Sequence, residues 1–162
     1  NWRWAGVPFY LRTGKRLAAR DAQIVVNFRP VPHPIFPGTR SPNRLVIKLQ
    51  PEDGLELHLL AAKGGSSNEL LSPVSLDLDF DKAFPSERVG AYERLLLDAI
   101  AGRLNLFVRS DEQEQAWRWV EPILHAWAQD TQGPRPYSAG SWGPPAASAL
   151  VARDGGAWAE EH

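Results

Sequence analysis

Lys15 follows Gly14 and lies between Arg12 and Arg16, at the end of the apolar run Val7-Pro8-Phe9-Tyr10-Leu11. Three cations within five residues suit an anionic ligand, and a lysine serves phosphate as a compact point charge. Gly14 has no Cβ, so the backbone there can approach a ligand closely. The competing reading is an ordinary basic loop. Other chemistry-bearing residues are less suggestive. His33, His58, His125 and His162 share no ligand spacing, and His58 reads as paired on a wet sheet face. Asp77 and Asp79 resemble a paired carboxylate, but strand alternation puts both on one charged stripe. Trp117, Trp119 and Trp127 read as core or interface anchors rather than a base-stacking platform, since no basic patch accompanies them.

The elements that must carry these residues follow from periodicity. Gln23 to Phe28 alternate as a strand, with Ile24, Val26 and Phe28 on one side. Arg29 to Pro42 is proline-rich and predicts a loop. Arg44 to Gln50 and Leu55 to Leu59 alternate again, around Glu52-Asp53-Gly54. A three-residue loop with Gly54 in the left-handed region pairs Leu49 with Leu57 and Lys48 with His58, which keeps both faces pure. Lys63 to Asn68 reads as a polar loop, and Val74 to Phe80 as a further strand.

Tyr92, Leu95, Leu96, Ala99 and Ile100 then recur at helical spacing, with Gly102 as terminator. Ser110-Asp111-Glu112-Gln113 reads as a capping box opening a second helix, with a stripe of Ala116, Val120, Ile123 and Trp127. Pro122 predicts a kink or a boundary in it. Gly133 to Pro145 should be irregular. Strands first and helices after predict an α+β domain: a large, mostly antiparallel sheet with helices packed on one face. No second domain is marked, so 1–162 reads as one.

Composition narrows the function classes. The chain has 162 residues, 43% of them hydrophobic, and a net charge of −1. That is enough chain for a real core, and it gives no global field that would favour nucleic acid or an anionic membrane. No apolar run approaches a membrane span. The absence of Cys removes disulfides and thiolate metal ligation and fits a cytoplasmic setting. The chain has no Met and opens on Asn1-Trp2-Arg3-Trp4, which reads as folded interior, so a fragment lacking its N-terminal part is expected. No Gly-x-Gly-x-x-Gly follows a strand.

Several strings together carry a resemblance. They are Trp4-Ala5-Gly6-Val7-Pro8-Phe9, Leu11-Arg12-Thr13-Gly14-Lys15-Arg16-Leu17, Asn43-Arg44-Leu45-Val46-Ile47 with Leu49-Gln50-Pro51, and Ala91-Tyr92-Glu93-Arg94-Leu95-Leu96. Phe107-Val108-Arg109-Ser110-Asp111-Glu112 and Pro136-Tyr137 with Gly140-Ser141-Trp142-Gly143-Pro144 complete the set. In this order the chain resembles the C-terminal part of glucose-6-phosphate dehydrogenase, bacterial type. The resemblance implies an enzyme that oxidises glucose 6-phosphate at C1 and passes hydride to NADP, or in some members NAD, opening the pentose phosphate pathway. It implies a Rossmann domain, absent here, followed by this α+β domain. It implies substrate contacts at Lys15, Arg20 and Gln50. Arg12 falls where some members hold a second, structural NADP, while Asp21, Val25 and Trp142 stand where those members place further basic residues.

The family's histidine string Asp-His-Tyr-Leu-Gly-Lys does not occur, so no catalytic residue and no metal ligand is expected in this chain. The expected partners are glucose 6-phosphate and a second copy of the chain, as a homodimer or larger assembly through the polar sheet face. Lys48, Glu56, His58 and Asp77 lie on that face. The alternative reading is a non-catalytic dimerisation or regulatory module of the same fold.

Overall fold

Alternation of apolar and polar residues is realised as four strands, β1 (Ala22–Asn27), β2 (Arg44–Gln50), β3 (Gly54–Ala62) and β4 (Leu71–Asp79). The structure is a computed structural model and describes residues 2–33, 42–62, 71–84 and 89–158. The strands form one antiparallel sheet in the order β1-β2-β3-β4. Among the described residues the helices are α1 (Phe80–Ala83), α2 (Ala91–Ile100), α3 (Ser110–Gln129) and α4 (Pro145–Ala152), and a short 3-10 turn spans Trp2–Trp4. The α+β expectation holds. The chain divides into two compact units, Asn1–Pro85 with Pro136–His162, and Ser86–Arg135.

Pairing sets apolar residues against one another on one face of the sheet. Leu45 pairs with Leu57, Leu57 with Leu76, and Ile47 with Leu55, which pairs with Leu78. Val46 pairs with Glu56, and Glu56 with Asp77, on the other face. Buried Val46 therefore lies on the polar face, whereas Leu76 on the apolar face is 61% exposed.

The β2–β3 register differs from the expected one. Lys48 pairs with Gly54 and Arg44 with His58, so the loop is wider than three residues. The expected register would have set Pro51 against Leu55, and proline has no N–H for the ladder. The shift is by an even number of residues, so every side chain keeps its face. Gly54 is the first residue of β3 and does not adopt the left-handed conformation. Its lack of a side chain answers a different need: a Cβ there would lie 2.7 Å from the Leu78 carbonyl oxygen.

Strand β4 begins earlier than expected and includes Pro73, which pairs with Leu60. A proline fits because β4 is an edge strand among the described residues. Phe80 belongs to α1 rather than to the strand, because Asp79 caps that helix. Its Oδ1 accepts from the backbone N–H of Asp81 at 2.9 Å and of Lys82 at 3.1 Å. The Lys63–Asn68 loop lies outside the described residues, as do 34–41 of the proline-rich stretch.

In the second unit, α2 ends as expected. Gly102 has φ of 69°, and the Arg103 N–H donates to the Asp98 carbonyl at 2.7 Å, the bond that closes the wider loop of a Schellman turn. Buried Asp98 accepts from Arg94 Nε at 3.1 Å, one helical turn back. The cap of α3 is shifted by one residue. Arg109 is the cap, Ser110 is already helical, and the Glu112 carboxylate accepts from the Arg109 N–H at 3.1 Å. Helix α3 runs through Pro122, so no boundary lies there; the ring forfeits only the bond to the Arg118 carbonyl. Trp117, Trp119 and Trp127 are all more than half exposed, which removes the core-anchor reading. Sequence periodicity did not mark α4, a short Ala-rich helix with Pro145 in its first turn.

Candidate functional site

The segment from Tyr10 to Gln23 carries the cations, and it has little regular structure of its own. Contacts with the far end of the chain fix it. The Tyr10 hydroxyl donates to Asp154 Oδ2 at 2.6 Å, and the Tyr10 ring meets Trp158 edge-on with centroids 6.3 Å apart. That geometry suits the positive edge of one ring and the negative face of the other. Proximity to Asp154 also holds the Tyr10 phenol above its ordinary pKa, chiefly through this hydrogen bond. Trp158 Nε1 donates to the Ala147 carbonyl of α4 at 3.3 Å.

Arg12 joins the same cluster. Its guanidinium carbon lies 5.0 Å from the Trp142 ring centroid and 4.4 Å from that of Trp158. Both are within cation–π range. The structure thus separates Arg12 from the other cations: it packs on aromatic rings, whereas Lys15, Arg16 and Arg20 are exposed.

Residues 14–17 are braced one after another. A Cβ on Gly14 would lie 3.0 Å from the Tyr137 hydroxyl and 3.2 Å from Leu17 Cδ2. Gly14 thus sits tightly against the chain's own side chains, where its sequence context suggests close approach of a ligand. The Tyr137 hydroxyl donates to the Lys15 carbonyl at 2.8 Å. Arg16 adopts a left-handed φ of 55°, and its carbonyl accepts from the Gly140 N–H at 2.8 Å. Leu17 forms a parallel bridge with Ser141.

Downstream, Arg20 precedes β1, where Ala22 pairs with Gln50 at the end of β2. A register shift between Ala22 and Gln23 marks this corner of the sheet. Fold connectivity thus brings Gln50 against the strand that Arg20 leads into, with Lys15 upstream on the same segment. Among the described residues, Lys15, Arg16 and Arg20 form no ion pair. Cations without an internal counter-charge on a braced segment can receive an anionic ligand.

The polar sheet face uses its charges differently. Lys48 pairs with Glu56, and His58 Nε2 lies 3.2 Å from Glu56 Oε2. The Lys48 hydrogen bond is the main cause holding the Glu56 carboxyl below its ordinary pKa. The same bond raises Lys48. Ser75 Oγ donates to Asp77 Oδ2 at 3.1 Å. This face is largely satisfied within itself.

Sequence reasoning gave no role to Tyr137, Gly140, Ser141 or Asp154. The Pro136-Tyr137 and Gly140-Ser141-Trp142 strings hinted at the first three and nothing at Asp154, because their partners lie more than a hundred residues away.

Comparisons with known proteins bear on the family and the fold. A family model described as glucose-6-phosphate dehydrogenase, C-terminal domain, matches residues 1–159. A glucose-6-phosphate 1-dehydrogenase of Mycolicibacterium smegmatis is 53% identical over 98% of this chain, which covers 32% of that protein. One from Rhizobium meliloti is 50% identical over 98% of this chain, which covers 33% of it. The crystal structure of the Mycobacterium avium enzyme aligns with a TM-score of 0.75 at 38% identity, over 98% of this chain and 32% of its own. A glucose-6-phosphate dehydrogenase solved in complex with its substrate glucose-6-phosphate also aligns at 0.75, with 30% identity over 90% of this chain and 30% of its own. The chain spans about a third of the length of the relatives it matches. With the antiparallel sheet, the braced cationic segment and this match in hand, the chain belongs to the glucose-6-phosphate dehydrogenase family, as its C-terminal domain.

Proposed function

We propose that this chain is the substrate-binding and assembly part of an enzyme that oxidises glucose 6-phosphate to 6-phosphoglucono-lactone with NADP. That reaction is the first step of the pentose phosphate pathway, and a cytoplasmic location goes with it. The observation that carries the reading is the braced segment with Lys15 and Arg20, which form no ion pair among the described residues, leading to the corner where Gln50 ends β2. The named relatives support it, as does the neighbour solved with its sugar phosphate. Lys15 and Arg20 would neutralise and orient the phosphosugar, and the Gln50 amide would offer neutral hydrogen bonds at the same corner. Their contribution is one of binding geometry.

The residues of this chain do not fit the hydride acceptor itself, because the sequence has no glycine-rich strand-to-helix turn. When bound, NADP accepts the hydride from C1; no step of that transfer is assigned to these residues. Arg12 lies over two indoles beside the Tyr10–Asp154 bond, a poor cradle for a polyanionic second nucleotide. We assign it to fastening the cationic segment to the end of α4. Assembly as a homodimer through the sheet belongs to the same proposal. Because Lys48, Glu56 and His58 already pair with one another, cross-subunit charge would set register there more than affinity.

Lys15→Ala in the dehydrogenase carrying this sequence tests the reading. Loss of a charge-assisted hydrogen bond should cost about 1.5–3 kcal/mol, roughly 10- to 150-fold in kcat/KM for glucose 6-phosphate. The KM for the nicotinamide cofactor should not move. Lys15→Arg should restore only part of the loss, since a planar fork is not a point charge. A wild-type kcat/KM in Lys15→Ala would return Lys15 to the ordinary surface lysines.

A further inference from the structure

We propose that Tyr137 is a positioning residue for the phosphosugar site, acting through its hydroxyl on the Lys15 backbone. The inference rests on the reading of Lys15 as a substrate contact and extends it to the group that aims it.

The segment 137–141 lies along 14–17 as a splint, with one contact to each residue. The Tyr137 hydroxyl abuts Gly14 and donates to the Lys15 carbonyl, the Gly140 N–H donates to the Arg16 carbonyl, and Ser141 bridges Leu17. The splint is itself closed by Ser141 Oγ donating to the Ser138 carbonyl at 2.7 Å. Gly140 has φ of 81°, a conformation that glycine adopts without strain.

Such bracing has a physical reason. The Lys15 segment is exposed, so no apolar core fixes its path. Arg16 is held in a left-handed conformation that a non-glycine residue avoids unless its neighbours are constrained. With Tyr137 on one side and Gly140 on the other, the peptide units flanking Arg16 are both fixed. A fixed backbone leaves only side-chain rotamers to be ordered when the ammonium meets its anion, which lowers the entropic cost of capture. Among the described contacts to the Lys15 backbone, the Tyr137 bond is the one made by a side chain, so a single substitution can remove it.

The test is steady-state kinetics of the full dehydrogenase, with glucose 6-phosphate as the probe. Tyr137→Phe keeps the ring and deletes the hydroxyl. Its expected signature is a rise in KM for glucose 6-phosphate of about 3- to 10-fold, the scale of one neutral hydrogen bond. The kcat and the cofactor KM should stay unchanged. In a Lys15→Ala background the same substitution should add nothing, because the group being aimed is gone.

Gly14→Ala provides an independent route to the same contact. Its Cβ would press on the Tyr137 hydroxyl, so it should give the same KM signature and the same loss of effect beside Lys15→Ala. It carries the test if Tyr137→Phe does not fold. If Lys15→Ala is defective while Tyr137→Phe has wild-type KM, the positioning role is wrong and the substrate site stands. Full additivity of the two substitutions also overturns the role. So does a lowered melting temperature in Tyr137→Phe with KM intact, which is the mark of a merely structural tyrosine. A wild-type Lys15→Ala removes the substrate reading, and this inference with it.

Discussion

Gly54→Ala offers a sharp check on the register of the sheet. The added Cβ would lie 2.7 Å from the Leu78 carbonyl oxygen and 3.8 Å from Asp79 Cα. The first distance is far inside van der Waals contact, and its partner is backbone that cannot rotate away. Either β4 shifts outward or β3 bends, and overpacking of this kind costs about 1–3 kcal/mol. Against it stands the gain from restricting the unfolded chain, about 0.4–1 kcal/mol for a tolerated Gly→Ala change. The net expectation is a loss of about 1–2 kcal/mol. For a domain of this size that corresponds to a melting temperature lower by roughly 2–8 °C. Gly54→Val should be worse still, although valine has much the higher strand propensity, so steric fit and propensity predict opposite orders. The perturbation should reach the proposed site, because Gly54 pairs with Lys48 just before Gln50 in β2. Scanning calorimetry of the dehydrogenase and the two variants measures the order directly. Unchanged or raised melting temperatures in both would show that β3 and β4 do not approach as described.

Two further outcomes are expected. The Glu56 carboxyl is depressed in the folded state, so its pair with Lys48 stabilises above the ordinary glutamate value of about 4.3 and fades as pH falls through the depressed value. Lys48 is raised, so the same pair persists to high pH and fades only as pH rises through the raised ammonium value. Glu56→Gln should therefore lower the melting temperature modestly at neutral pH, the pair being partly solvated, and match wild type at acid pH, which flattens the acid limb; a wild-type acid limb in the variant would refute the assignment. Arg12→Lys keeps the charge and loses the planar stack over Trp142 and Trp158, and should lower stability by about 0.5–2 kcal/mol. Full melting stability in Arg12→Lys would remove the aromatic clasp as a fastening.

What could be read from the sequence was whatever depends on local order. Strand alternation assigned Leu45, Ile47, Leu57 and Leu76 to one face and Lys48, Glu56 and Asp77 to the other, because the side-chain period of two is a property of the strand itself. Gly102 marked the end of α2 for a similar reason: a left-handed C′ position favours glycine wherever the helix sits. The cations of the 12–20 segment were also visible, since charge and spacing are written in the chain.

Tertiary structure decided everything that joins distant residues. It set the register of β2 on β3, where every side chain keeps its face in either alignment. It gave Gly14 and Gly54 their reasons, a tyrosine hydroxyl and a carbonyl of the next strand, neither adjacent in sequence. It laid Arg12 over the rings of Trp142 and Trp158, and it brought Tyr137 across 122 residues to the Lys15 carbonyl. Hydrogen bonds and ring contacts act over a few ångströms. Which groups come that close is settled by the path of the whole chain, and no local pattern around Lys15 or Tyr137 carries it.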